Sequence, residues 1–271
     1  MVLYFSATGN TEYIAKKLAK ELNDDCLNLL ERIRQKDYAR ITSKKPFVIC
    51  SPVYVCEMPD FLRDFLARLK FSGNRTVYFV FTSGGYAGIS GMMAKILFSK
   101  KKMEYRGHAE FKMPRNYIAS DMYPELSDEE NLRRIRESDR RIPEIAEAIR
   151  TGQKLRSRYV FLFEKIITIP FQPLWVRYKQ PAKDFYATDA CIGCGKCERM
   201  CPVKNISMKG KRPKWHDKCY HCMACIGNCP VEVIEYGEIT LHKKKYNIER
   251  VLREVAAAKE HTDDDLSESE F

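Results

Sequence analysis

Eight of the eleven cysteines lie between Cys191 and Cys229, in two runs of identical spacing. Each run has the pattern C-x2-C-x2-C-x3-C-P, and adding 28 to each position of the first run gives the second. Such a repeat indicates an internal duplication. Three thiolates at this spacing can hold one corner of an iron–sulfur cubane, and the fourth, followed by proline, can ligate the other cluster. The spacing therefore predicts two [4Fe–4S] clusters.

Each predicted cluster takes three cysteines from one run and the fourth from the other. The first set is Cys191, Cys194, Cys197 and Cys229, and the second set is Cys219, Cys222, Cys225 and Cys201. Zinc is the competing metal because it also binds soft thiolates, but zinc sites usually place their cysteines in separated pairs. His216 and His221 lie close to the second run; because eight cysteines already suffice, we expect them at the surface or beside the ligands.

A second group of chemically interesting residues follows the first predicted strand. The sequence Ser6-Ala7-Thr8-Gly9-Asn10-Thr11 runs directly into a predicted helix. Hydroxyl groups, a glycine and backbone N–H groups at a helix N-terminus form a site for an anion. The loop has no lysine and no G-x-G-x-x-G pattern, so a terminal phosphate monoester is its natural ligand. An ordinary capped turn uses the same residue types, so the loop alone leaves both interpretations open.

Two further loops favour the ligand over the capped turn. The third predicted strand ends in Ser51-Pro52-Val53-Tyr54, and the fourth ends in Thr82-Ser83-Gly84-Gly85-Tyr86-Ala87-Gly88. In a parallel sheet the carboxyl ends of neighbouring strands meet beside the first loop. Tyr54 and Tyr86 can stack on a flat ring, and the glycines let the backbone approach its edge. Glycines also serve turns and tyrosines also serve packing, but three such loops together make coincidence the weaker explanation.

The first 150 residues alternate between strand and helix patterns. Short apolar runs predict strands at Val2–Phe5, Cys26–Leu30, Pro46–Cys50, Thr76–Thr82 and near Glu110–Met113. Apolar residues at helical spacing separate them, and Ser127 with Glu130 predicts a capping box before a long charged helix. This alternation predicts an α/β fold with a parallel sheet covered on both faces.

The three loops resemble those of flavodoxins, over approximately residues 1–151. The resemblance implies a doubly wound five-stranded parallel sheet of order 2-1-3-4-5 that binds FMN non-covalently. It implies that the phosphate is held by Ser6, Thr8, Gly9, Asn10 and Thr11. It implies further that the isoalloxazine is flanked by Pro52, Val53 and Tyr54 and by Thr82, Ser83, Gly84, Gly85 and Tyr86. Flavodoxins are usually acidic, whereas this chain is basic.

Residues 181–240 resemble the bacterial two-cluster ferredoxins, a small α+β fold, with all eight ligand positions present. The whole chain therefore resembles the fused flavodoxin–ferredoxin proteins of anaerobic bacteria and archaea, known as EFR1 ferredoxins. The predicted organisation is an FMN domain at 1–151, an aromatic-rich connector at 152–180, a 2[4Fe–4S] domain at 181–240 and a C-terminal extension with an acidic tail at 241–271.

The connector contains six aromatic residues for which two environments are open: Tyr159, Phe161, Phe163, Phe171, Trp175 and Tyr178. They can be buried between the two cofactor domains, or they can lie on a membrane surface beside neighbouring arginines. We expect the first, because two cofactor domains must dock to exchange electrons and bare linkers are rarely so aromatic.

Charge and composition limit the function classes. The chain has 271 residues, a net charge of +11 and 45% apolar residues, which is typical of a soluble globular protein. Removing the six acids after residue 259 gives a body of +17. No stretch of about 20 apolar residues predicts a transmembrane segment, and no secretory signal is visible at Met1, so a cytoplasmic location is expected.

A basic patch lies between the two cysteine runs, consisting of Lys204, Lys209, Lys211, Arg212, Lys214 and Lys218. No nucleic-acid-binding motif accompanies it, so we expect a solvated face or a docking surface for an acidic redox partner rather than nucleic-acid binding. The oligomeric state is not predicted.

The predicted function is electron transfer between the clusters, FMN and an unidentified redox partner. No acid–base or nucleophilic constellation stands out, so no catalytic side chain is assigned and enzymatic activity is left open. The main alternative is a flavin-dependent reductase of a small acceptor, and a zinc-binding interaction module is a further one. No nicotinamide-binding fingerprint is present.

Overall fold

A computed structural model describes residues 1–122 and 124–254 of the chain. Its strands are β1 (Val2–Tyr4), β2 (Cys26–Asn28), β3 (Ile41–Ser43), β4 (Phe47–Pro52), β5 (Phe71–Gly73), β6 (Thr76–Ser83), β7 (Glu104–Lys112), β8 (Phe185–Ala187), β9 (Ile206–Lys209), β10 (Arg212–Trp215) and β11 (Ile234–Tyr236). Its helices are α1 (Asn10–Glu21), α2 (Leu30–Gln35), α3 (Asp60–Arg68), α4 (Ser90–Lys100), α5 (Asp128–Arg150), α6 (Leu162–Lys179), α7 (Lys196–Met200) and α8 (Ala224–Gly227). The acidic tail of the sequence lies outside the described residues.

The amino-terminal half is built on a five-stranded parallel sheet with the order β2-β1-β4-β6-β7. Counted within this sheet alone, the order is 2-1-3-4-5, which confirms the predicted fold. Strand β1 pairs with β4 from Val2 opposite Val48, and β4 pairs with β6 from Phe47 opposite Val77. The short strands β3 and β5 form a separate parallel pair.

Both faces of the sheet are covered by helices. Successive strand residues point to opposite sides of the sheet, so they enter different apolar clusters. Val2 and Tyr4 of β1 lie in an apolar cluster with α1 and α5. Leu3 and Phe5 lie in a second cluster on the other face, with α3 and α4. This two-sided packing is the reason the strands appear in the sequence as continuous apolar runs.

Two local predictions differ from the structure. Strand β7 begins at Glu104, before the predicted Glu110. Its first residues form no apolar run, because Glu104 is exposed and the three residues after it are only half buried. Ser127 caps α5 by accepting a hydrogen bond from the Glu130 backbone N–H at 3.2 Å. The Glu130 carboxylate, however, pairs with Arg133 and Arg134 instead of completing the capping box.

The carboxy-terminal region packs around its own apolar cluster, which contains buried cysteines of both runs. Strand β8 pairs with β11, and β9 pairs with β10, both antiparallel. Helix α7 contains Cys197 and helix α8 contains Cys225, so each cysteine run enters a short helix. Beyond β11 the chain returns to the flavodoxin-like half, where Tyr246 and Ile248 join the apolar cluster of α1 and α5.

The prediction that the connector aromatics are buried between the two cofactor domains is wrong. Tyr159 is 71% exposed, Phe163 61% and Tyr178 67%. All six aromatics lie on α6 or just before it, and five of them are exposed. Within the part of the chain described, no helix is long and apolar enough to cross a membrane.

Candidate cofactor sites

The loop between β1 and α1 is shaped to bind an anion. Gly9 adopts a φ of +96° at the helix N-cap, a conformation that favours glycine, and its N–H donates to Ser6 Oγ at 3.1 Å. The other N–H groups of the loop have no acceptor among the residues that the structure describes: those of Ala7, Thr8, Asn10 and Thr11. Free N–H groups at a helix N-terminus fit a phosphate group.

The side chains of this loop hold the loop in place. Thr11 Oγ1 lies 2.7 Å from Thr82 Oγ1, which ties the loop to the end of β6. Thr8 Oγ1 accepts a hydrogen bond from Asn116 Nδ2 at 2.8 Å, and Asn10 Nδ2 donates to the Pro114 carbonyl at 2.9 Å. The predicted phosphate-binding residues therefore lie close together. Most of their side chains hydrogen-bond to other protein groups and so fix the position of the loop backbone.

All three predicted loops line one cavity. Its walls include Ser6 to Thr8, Asn10, Thr11, Pro52 to Tyr54 and Thr82 to Gly84, together with Pro114 and Asn116. The Tyr54 hydroxyl is buried and has no hydrogen-bond partner in the described part of the chain. Burial raises the pKa of Tyr54 well above its ordinary value, so this hydroxyl is a neutral donor. The donor set suits a phosphorylated ring ligand such as FMN.

Three of the predicted residues do not line this cavity. Gly9 is covered by Ile248: a Cβ on Gly9 would lie 2.3 Å from Ile248 Cγ2. Gly85 is exposed, and Tyr86 lies at the rim, 51% exposed, with the Arg158 guanidinium 4.6 Å from its ring centroid. Tyr86 therefore lies outside this cavity, whereas Tyr54 lines it.

The C-terminal extension closes the other side of the phosphate-binding loop. Tyr246 OH donates to Asn10 Oδ1 at 2.5 Å, and the Ile248 N–H donates to the Thr8 carbonyl at 3.1 Å. Sequence reasoning missed these residues, as well as Pro114 and Asn116, because no local pattern marks contacts between residues more than 100 positions apart. One signal for Pro114 and Asn116 was available: they follow β7, whose carboxyl end lies at the same edge of the sheet as the predicted loops.

The two predicted cysteine sets are each brought together around a separate cavity. Cys191, Cys194, Cys197 and Cys229 line one cavity. Cys201, Cys219, Cys222 and Cys225 line the other. Among the described residues, no three His, Cys, Asp or Glu side chains are close enough to hold a single metal ion. The fourth cysteine of each run joins the set of the other run, as the spacing predicts.

Burial disfavours the deprotonated form of several cysteines in these two sets. Burial raises the pKa of Cys197 and of Cys219 to about 11. It raises the pKa of Cys222 and Cys225 further above their ordinary range. Cysteine binds metal as thiolate, so a cationic metal centre is what would offset this burial. Each cavity is lined by four cysteines, the donor set of a [4Fe–4S] cluster, so the residues present fit iron–sulfur clusters.

The second set lies against the flavin-type loops. Ala224 belongs to the apolar cluster that contains Ala7 and Ala87, and Cys222 packs against the same cluster. Asn228 Nδ2 donates to the Ala7 carbonyl at 2.8 Å. A Cβ on Gly227 would lie 2.5 Å from the Tyr246 carbonyl and 3.0 Å from Thr8 Cγ2, so only glycine allows this approach.

Further contacts fix this arrangement. Tyr220 and Phe61 pack edge to face, with ring centroids 5.0 Å apart. Arg34 Nη1 donates to the carbonyls of Glu198 at 2.7 Å and Cys201 at 2.6 Å. The two cofactor regions thus share a continuous packed interface within one chain.

The two histidines near the second run occupy different environments. His216 is exposed, whereas His221 is buried and its Nε2 lies 2.9 Å from the Pro181 carbonyl. Burial lowers the pKa of His221, which favours the neutral ring as a donor to that carbonyl. The six basic residues between the runs, on and beside the β9–β10 hairpin, are all exposed, as expected: Lys204, Lys209, Lys211, Arg212, Lys214 and Lys218.

Comparison with known proteins gives two family matches. Residues 2–107 match the family model for flavodoxin, and residues 190–233 match the model for the 4Fe-4S dicluster domain. None of the curated proteins compared with the chain matches it.

Several solved structures are similar to part of the chain. A putative flavoprotein from Bacteroides uniformis is 18% identical, with 41% of this chain and 88% of that chain covered and a TM-score of 0.31. The two-electron reduced flavodoxin of Megasphaera elsdenii is 21% identical, with 41% and 86% covered and a TM-score of 0.32. A putative flavoprotein from Bacteroides eggerthii is 22% identical, with 41% and 86% covered and a TM-score of 0.29. The two family matches show a flavodoxin domain followed by a 4Fe-4S dicluster domain, an arrangement consistent with a flavodoxin–ferredoxin fusion and with a role in electron transfer.

Proposed function

We propose that the protein carries electrons between two [4Fe–4S] clusters and FMN within one chain, and exchanges them with a separate redox partner. When bound, these groups supply one-electron carriers and a flavin that takes one or two electrons. The single observation that carries the proposal is the packing of the second cysteine set against the flavin-type loops, through Ala224 and Asn228.

The chain's own residues have separate tasks in this proposal. The free N–H groups at the start of α1 bind the FMN phosphate, and Tyr54 donates to the buried side of the ligand. Each set of four cysteines holds one cluster. Ala224 and Gly227, being small, let the second set approach the flavin site closely and leave little room for water between them.

Cofactor content is the first test. Anaerobic purification should give about eight iron per chain and one FMN, measured by metal analysis and by flavin absorbance after release. Zinc in place of iron would overturn the cluster assignment, and half the iron would leave one cysteine set without a cluster.

The route within one chain has its own test. After rapid chemical reduction of the clusters, the rate constant of flavin reduction should be independent of protein concentration, followed by stopped-flow absorbance. An observed rate constant that rises in proportion to protein concentration would mean that transfer occurs between chains. Fast turnover of a small acceptor, exceeding that of any protein partner, would identify a reductase instead of a carrier.

The redox partner is proposed to be acidic. The exposed basic residues of the β9–β10 hairpin lie beside the first cysteine set; Pro213 and Met208 of the hairpin line the cavity of that set. Electron exchange with an acidic ferredoxin used as a probe should slow as salt screens the attraction. Lys211→Glu and Lys214→Glu should weaken that salt dependence, and an unchanged dependence would remove the hairpin as the docking surface.

A further inference from the structure

Helix α6 differs from an ordinary surface helix because several of its large apolar side chains are exposed to solvent while a polar side chain is buried. Leu162 is 68% exposed, Ile166 64% and Ile167 60%. Gln172, by contrast, is 4% exposed. The outward face is continued by further exposed residues of the helix: Phe163, Ile169, Phe171, Leu174 and Tyr178. An exposed apolar patch of this extent marks a surface that another body covers.

The shape of the patch favours a broad surface over a partner helix. At 100° per residue, the exposed apolar positions spread over about 200° of the helix circumference. A helix that pairs with one other helix needs only a narrow apolar seam. The 18 residues of α6 extend over about 27 Å. Such a wide and long face suits a planar apolar layer.

The positive charge around this exposed apolar patch favours a negatively charged binding surface. Residues 154–183 contain one acid, Glu164, and seven basic residues: Lys154, Arg156, Arg158, Lys165, Arg177, Lys179 and Lys183. A second copy of the chain would bring the same positive segment against itself, and the whole chain carries +11. Like charges repel, so this face is unsuited to self-association. It suits a negatively charged surface.

The aromatic residues complete the pattern. Tyr159, Phe161 and Phe163 lie at the start of the exposed apolar face, and Phe171 and Tyr178 lie towards its end, with isoleucines between them. Aromatic rings at both ends, aliphatic residues between them and basic residues along the same segment are typical of a helix that lies in a lipid–water interface.

We propose that α6, with the preceding residues from Tyr159, binds the surface of an anionic lipid bilayer and lies in the plane of the interface. Among the described helices none is suited to cross a membrane, so the contact is peripheral. The helix begins beside the flavin-type loop, because Arg158 bonds to Glu164 of α6 at 3.1 Å and lies over the Tyr86 ring. Binding therefore brings the rim of the flavin site close to the lipid. The proposal stands independently of the electron-transfer route.

The test measures binding of the holoprotein to vesicles. Sedimentation with vesicles of phosphatidylcholine containing about 30% phosphatidylglycerol should pellet the protein, and vesicles of phosphatidylcholine alone should pellet far less. Ile167→Glu should reduce the partition coefficient at least about tenfold, because it places a charge in the apolar face. Ile96→Glu is the matched control: Ile96 is 45% exposed on α4, and its substitution should leave binding unchanged. Both variants should retain their flavin and iron.

Three results would overturn the proposal. The first is no binding of the unmodified chain to anionic vesicles. The second is binding that Ile167→Glu leaves intact. The third is a dimer, seen by light scattering, that Ile167→Glu converts to a monomer without any vesicle binding, since that outcome assigns the face to a second copy.

Discussion

The two cysteine runs have identical spacing, yet the chain gives the two sets different surroundings. In the first set Cys194 is exposed and the neighbouring Ile192 is 60% exposed. In the second set Cys222 packs against the apolar cluster of the flavodoxin-like half. A duplicated ligand pattern therefore specifies how sulfur atoms converge, but it does not specify what lies outside them.

The residues between the cysteines explain the difference. The first run places Ile-Gly, Gly-Lys and Glu-Arg-Met in its gaps, and the second places Tyr-His, Met-Ala and Ile-Gly-Asn there. The charged residues keep the first run near solvent. In the second run Tyr220 packs on Phe61, and the small Ala224 and Gly227 admit the phosphate-binding loop. The second set is thus part of the domain interface, and the first set is available to the outside.

The largest expected difference comes from removing one ligand of each set. Cys194→Ser and Cys222→Ser should each cost about four iron per chain. Only Cys222→Ser should also lower flavin content and thermal stability, because Cys222 packs beside the flavin-type loops. Metal analysis, flavin quantification and a thermal melt check this. Equal flavin retention in both variants would contradict the difference between the two sets.

A smaller but still large effect is expected at the phosphate-binding loop. Gly9→Ala forces alanine into a φ of +96° and brings its Cβ against Ile248. Gly152→Ala is the matched control, since Gly152 has a φ of +72° with open space around a Cβ. The control should lose about 1 kcal/mol of stability through backbone strain. Gly9→Ala should lose about 2 kcal/mol more through the collision, and its FMN affinity should fall.

Chemical denaturation and FMN titration measure these two quantities. A Gly9→Ala chain that binds FMN as tightly as the Gly152→Ala chain would mean that the closure of this loop by Ile248 does not affect the flavin site.

The sequence predicts the sheet well, because strands buried on both faces must be continuously apolar. It predicts the convergence of the cysteines well too, because their spacing constrains the backbone directly. The predicted start of strand β7 lies after the observed start at Glu104. Glu104 is exposed and the next residues are half buried, because this strand lies at a sheet edge. Local composition carries no signal for such a strand.

The contacts between distant segments are what the sequence could not supply. Tyr246 meets Asn10, and Asn228 meets Ala7, each over more than 200 positions. The connector aromatics predict an interface between the two cofactor domains, and this prediction is wrong, because five of the six are exposed on α6 or just before it. Burial depends on the tertiary arrangement, and periodicity describes only one helix at a time.

A moderate effect is expected in the loss of iron. Chelation of the oxidised holoprotein should proceed in two phases, with the first phase about tenfold faster, because the first set contains the exposed Cys194, whereas each cysteine of the second set is buried or half buried. Iron release followed by chelator absorbance checks this. In Cys194→Ser, which lacks the first cluster, the fast phase should be absent; a single phase in the unmodified chain would indicate equal protection of both sets.

The smallest effect tests a single contact across the interface. Asn228→Ala removes the hydrogen bond to the Ala7 carbonyl, together with those to the Ala224 carbonyl and from Asn247 Nδ2. Loss of the Ala7 contact should cost about 1 kcal/mol and so about a fivefold loss of FMN affinity. The equivalent region of the first run provides the control: Arg199→Ala removes a hydrogen bond to the Cys194 carbonyl, away from the flavin-type loops. FMN titration should separate the two variants. An equal effect would mean that the position of a residue in the duplication, and not its contact with the phosphate-binding loop, decides its influence on the flavin.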